Sequence, residues 1–96
     1  MAGCVFSDEQ VEFTLFELCR ATGTSEDQLA LWIEQGAIEP KHVSENEEPR
    51  FDGASLRRVR TARRLAHDLE INAAGIALAF DLLDEIEVLR AQLLRR

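Results

Sequence analysis

Tyrosine is absent from this 96-residue chain, proline and cysteine occur twice each, and tryptophan and methionine once. Two prolines and five glycines are too few for a collagen-like or low-complexity chain. Two cysteines, Cys4 and Cys19, cannot build a disulfide scaffold, so a reducing, cytoplasmic compartment is expected. No apolar run approaches the ~20 residues of a membrane span. The opening MAGCVFSDEQ lacks the basic flank and apolar run of a signal peptide. Bases are scarce as well: 11 Lys and Arg stand against 18 Asp and Glu, a net charge of −7. A pI near 4.7 argues against a general nucleic-acid binder, which needs a basic surface for phosphates.

Catalytic signatures are missing too. The chain contains no GxxxxGK[ST], GxGxxG or GxSxG motif. Cys4, Cys19, His42 and His67 are too scattered for a zinc site. Asp81, Asp84 and Glu85 cluster, yet they lack the third group and neighbouring His that acid–base chemistry would require. We therefore expect no enzyme, no cofactor and no metal.

What is present is a helical pattern. Hydrophobic residues make up 46% of the chain, enough for one folded domain but a small core. Val11-Glu12-Phe13 reads as a short strand. Thr14-Leu15-Phe16-Glu17 and Ser25-Glu26-Asp27-Gln28 read as capping boxes that open two helices, closed by Gly23 and Gly36. Leu29, Trp32 and Ile33 give the second helix one buried face, which makes Trp32 core rather than a stacking platform. Ala37–Phe51 is polar and lacks a helical period, and is expected to be a loop or irregular hairpin. Asp52 caps a third helix over 53–69. Val59, Ala62, Leu65, Ala66 and Leu69 face inward on it, and Arg57, Arg60, Arg63, Arg64 and His67 face outward. Asn72 caps a fourth helix that runs to the end of the chain. The domain thus divides into a helix-turn-helix with a short wing-like loop (11–51), a basic helix (52–70) and a long C-terminal helix (72–96).

Charge follows this division. Residues 1–49 are net −9, 50–67 net +5 and 68–96 net −3. On the second helix the outward positions are Asp27, Ala30, Leu31, Glu34 and Gln35. Two acids there repel phosphate and accept only from cytosine among major-groove edges, so specific DNA reading is disfavoured. The same face suits a basic protein surface, as does the acidic group Asp81, Asp84 and Glu85. Arg57, Arg60, Arg63 and Arg64 are either a solvated face paired with acids such as Asp68 and Glu70, or a contact for phosphate or an acidic partner. In the first half of the last helix the apolar residues Ile76, Leu78, Ala79, Phe80, Leu82, Leu83 and Ile86 cover over half the wheel, more than one core contact needs. Ala79, Leu82, Ile86, Leu89 and Leu93 recur at 3,4 spacing, the seam of a short coiled coil, and predict a homodimer.

Two segments resemble a known family. Residues 13–40, FTLFELCRATGTSEDQLALWIEQGAIEP, are similar to the N-terminal helix-turn-helix of the MerR type, and more closely to the bacterial chaperone-modulator family CbpM. Phe51-Asp52, Leu69-Glu70-Ile71-Asn72 and the stretch Gly75–Ile86 (GIALAFDLLDEI) resemble that family's second half, and the last is the more specific. The resemblance spans about residues 11–94. It implies an all-α, mainly helical fold: a MerR-like winged helix-turn-helix with a long C-terminal helix. It also implies a non-enzymatic inhibitor that binds the J-domain of a DnaJ-like co-chaperone, CbpA, through the basic helix that J-domains present. Binding would block stimulation of the DnaK ATPase and could also inhibit the co-chaperone's DNA binding. The alternative is a MerR-like transcriptional regulator. Where DNA-binding members carry Arg before an aromatic pair, this chain has Ala30 before Leu31-Trp32, which points away from that alternative. Against longer modulators the chain stops near Arg96, implying a shortened coiled-coil tail.

Overall fold

Each helix starts at a side chain that can reach its own first turn. The computed structural model describes residues 12–44 and 46–95; the expectations for Cys4 and Val11 lie outside them. Glu12–Phe13 form strand β1, and Thr14 then caps helix α1 (Leu15–Thr22). The Thr14 hydroxyl accepts the Glu17 N–H at 3.1 Å, and the Glu17 carboxylate accepts the Thr14 N–H at 2.9 Å. This reciprocal pair occupies two amides that a helix start leaves open. Gly23, at φ 71°, ends α1, and Thr24 N–H reaches back to the Cys19 carbonyl at 3.1 Å. Helix α2 (Glu26–Glu34) begins at Ser25, whose hydroxyl accepts the Gln28 N–H. Its end is closed by Gly36 at φ 83°, with Gly36 N–H donated to Ile33 and Ala37 N–H to Trp32. Reversing the chain through the left-handed region is easy only for glycine. It drops Ala37 and Ile38 into the core.

Of the two expectations for 37–51, a loop or an irregular hairpin, the structure forms the second. Strands β2 (His42–Ser44) and β3 (Glu47–Asp52) pair as an irregular antiparallel hairpin. β3 also pairs with β1, placing Phe51 opposite Phe13, so the strand order is β1-β3-β2. In β3, Glu47, Glu48 and Arg50 are exposed. The hairpin's anchor is Phe51, fully buried at the end of β3.

Asp52 accepts the Ser55 N–H at 3.0 Å and opens α3 (Gly53–Asp68). Asn72 accepts the Gly75 N–H at 2.8 Å and opens α4 (Ala73–Leu94). Between them Glu70 sits at φ 54°, the one non-glycine residue at positive φ among the described residues. Leu69 was expected to face inward but is 64% exposed. The helix stops at Asp68, so Leu69 has left the helical arc, and Ile71 packs against the core in its stead. Gly75 is required for a different reason: a Cβ there would lie 2.6 Å from Ile71 Cγ2.

One cluster holds these elements together. Leu18 of α1, Leu29 and Trp32 of α2, Phe51 of β3, Val59 of α3 and Ile76 of α4 are all 0–1% exposed. Only the first two turns of α4 join this core. Beyond Phe80 every described residue of the helix is exposed, so about 20 Å of α4 projects from the body at 1.5 Å per residue.

Candidate functional site

The outer face of α2 follows from its inner face. With Leu29 and Trp32 buried, the 100° advance per residue turns Asp27, Ala30, Leu31, Glu34 and Gln35 outward, and all five are exposed. Leu31 is 42% exposed between the two carboxylates. The face is thus acidic at its edges and apolar at its centre, as the helical period predicts.

The acidic group on α4 is divided by the structure. Asp81 and Glu85 are exposed. Asp84 accepts a hydrogen bond from Arg58 of α3 at 2.5 Å, and the Arg58 guanidinium lies 4.7 Å from the centroid of the Phe80 ring. Asp84 is also exposed, with 51% of its side chain accessible, and its carboxylate ties α4 to α3. Sequence reasoning also passed over Arg58, and a signal was available. On a helical wheel Arg58 falls inside the apolar arc with Ala62 and Leu65, opposite the other arginines. A cation in that position needs a carboxylate or an aromatic face.

The remaining α3 cations point outward as expected: Arg57, Arg60, Arg63, Arg64 and His67 are all exposed. The expected pairing with Asp68 and Glu70 is not formed. Among the described residues no ion pair joins either acid to Arg60, Arg63 or Arg64. These arginines line a cleft together with Ala21 and Thr22 at the C-terminal end of α1.

Along α4, Leu78, Leu82, Ile86, Leu89 and Leu93 share an arc of about 80° and are 45–65% exposed. Ala79, the first residue of the predicted seam, is half-buried where the helix leaves the core. Cys19 is 7% exposed, and burial, with a smaller contribution from the Glu26 charge, raises its thiol pKa above the ordinary value. Such a thiol is inert rather than nucleophilic. Among the described residues no group of three His, Cys, Asp or Glu could hold a metal, and no helix is long and apolar enough to cross a membrane.

Two comparisons agree with this geometry. The family model for MerR HTH family regulatory proteins matches residues 13–95, from the strand before α1 to the end of α4. The chain is also 38% identical over 82 residues to the chaperone modulatory protein CbpM of Escherichia coli. The CbpM of Shigella boydii matches it to the same extent. Each alignment covers 85% of this chain and 80% of the relative. The chain belongs to the CbpM family of MerR-type helix-turn-helix proteins. Within that family its long helix and small three-stranded sheet are the frame, and the α2 face and the free length of α4 are what the frame presents.

Proposed function

We propose that this CbpM-family chain is a non-enzymatic chaperone modulator that binds the J-domain of a DnaJ-like co-chaperone of the CbpA type. By covering the basic helix that J-domains present, it keeps the co-chaperone from stimulating the DnaK ATPase, and the same occupancy limits the co-chaperone's DNA binding. The observation that carries this reading is the outer face of α2. Where a DNA reader would turn donors toward the groove, this helix turns out Asp27, Ala30, Leu31, Glu34 and Gln35, all exposed. Charge complementarity steers a basic helix to such a face, and a desolvated apolar contact at Leu31 sets its register. Asp81 and Glu85 supply a second acidic edge on α4. The names of the relatives, chaperone modulatory proteins, support the same class of function.

Dimerisation is the second part of the proposal. A stripe of five apolar residues on a helix that projects from its own core suits the same stripe of another copy. Pairing two such stripes would cover the apolar residues that α4 leaves exposed beyond Phe80.

Titration calorimetry against the isolated J-domain of the host's DnaJ-like protein, at two salt concentrations, tests the reading. Micromolar or tighter binding that weakens with salt is the expected result. Absence of binding at both salts would leave a MerR-type frame with another client, and a gel shift would then test the transcriptional alternative.

A further inference from the structure

Arg60, Arg63, Arg64 and His67 recur at i, i+3, i+4 and i+7 on α3 and form one wall of a cleft of about 530 Å³, with the last residues of α1 opposite. A second cleft of about 260 Å³ shares Arg63 and His67 and extends to Ser25 and Gln28, in the first turn of α2, and to Trp32. The Arg63 guanidinium overhangs the tight turn between α1 and α2: a Cβ at Gly23 would stand 3.6 Å from Nη2. Among the described residues none of the three arginines has a carboxylate partner, and Asp68 is the sole acid that lines either cleft. Trp32, which lines the second cleft, is 1% exposed. Its Nε1 is buried and is the one such side-chain atom among the described residues without a hydrogen-bond acceptor.

We propose that this concave face binds a small phosphorylated molecule through its phosphoryl oxygens. Three guanidinium groups around one hollow repel one another, and a multiply charged anion with several oxygens relieves that repulsion through charge-assisted, bidentate hydrogen bonds. The volume lies within the range of about 300–1,000 Å³ usual for small-molecule sites. A nucleic-acid backbone fits less well. The chain is net −7, and Glu26 and Asp27 belong to the same helical turn that lines the second cleft. A long polyanion would meet those charges, whereas a compact one would not. The site is separate from the acidic faces of α2 and α4, so it stands or falls independently of the co-chaperone reading.

Calorimetric titration of the full chain with ADP, followed in parallel by the fluorescence of Trp32, the single tryptophan, tests the proposal. Saturable binding of ADP that pyrophosphate displaces is expected. Arg63→Gln should weaken it about tenfold, since one charge-assisted pair is lost, while Arg90→Gln on distal α4 leaves it unchanged. Thermal melts by circular dichroism check folding, and Arg60→Gln replaces Arg63→Gln if the latter unfolds. No saturable response up to ~10 mM ADP at low salt, corresponding to negligible affinity, would overturn the proposal. So would equal affinity in the arginine variants. A short DNA duplex that displaces ADP more effectively than pyrophosphate does would overturn it in favour of a backbone contact.

Discussion

Arg58 of α3 and Asp84 of α4, 26 residues apart in sequence, form a hydrogen-bonded ion pair stacked against the ring of Phe80. The pair sits at the point where α4 leaves the core. It adds a surface tie between α3 and α4 to the buried packing of Ile76 and Phe80. Truncating Arg58 to Ala should destabilise the fold by about 1 kcal/mol, combining a half-exposed ion pair with a cation–π contact. A double-mutant cycle with Asp84→Asn should show coupling of about 0.5 kcal/mol that shrinks in high salt. Additive effects in chemical denaturation would mean that the two groups do not interact in solution.

Reversing Asp27 and Glu34 to Lys should lower affinity for the J-domain and flatten its salt dependence. The same reversal at Asp81 and Glu85 separates the two acidic faces. Asp84 is left in place, since changing it would also break its pair with Arg58. If neither double variant alters the calorimetric affinity, docking through charge is wrong.

Replacing Leu82, Ile86 and Leu89 with Gln should give a monomer by light scattering without loss of helical signal. Those side chains touch little within one protomer, being 45–56% exposed. A dimer mass that persists would place the interface away from α4.

Glu70 occupies the left-handed region at φ 54°, a conformation that costs a residue with a Cβ about 1 kcal/mol relative to glycine. Glu70→Gly should therefore raise the melting temperature by a few degrees, less whatever the greater freedom of glycine in the unfolded chain removes. A lowered melting temperature would show that the Glu70 side chain makes a compensating contact.

Cys19 supplies a pH dependence. Its folded-state pKa lies above the ordinary 9.0, chiefly through burial, so the folded chain holds the proton more tightly than the unfolded one. The associated stability is complete below about pH 9 and is lost as the pH rises from there through the folded-state value. Stability measured by urea denaturation between pH 8 and 10.5 should fall more steeply for the native chain than for Cys19→Ala. Parallel curves would assign the alkaline loss to other groups.

Much of this architecture is local chemistry. Thr14, Ser25, Asp52 and Asn72 each cap a helix whose amide lies three residues ahead. Gly23 and Gly36 end helices because the chain reverses through a conformation open to residues without a Cβ. The outward face of α2 and the arginine face of α3 follow from the 3.6-residue period once their apolar partners are identified. Such features need only neighbours within a turn of helix, and those neighbours are written in the chain beside them.

Other features depend on where distant segments meet. Phe51 opposite Phe13 makes a sheet from a stretch with no strand pattern. Arg58 against Asp84 gives one acid of the α4 cluster a cationic partner from another helix. Arg60, Arg63 and Arg64 border a hollow with Ala21 and Thr22 at the end of α1, and among the described residues no ion pair joins them to Asp68 or Glu70. Each is a contact between elements, and its energy depends on the packing angle of whole helices. Helical period assigns a residue to a face; only the path of the chain brings that face a partner.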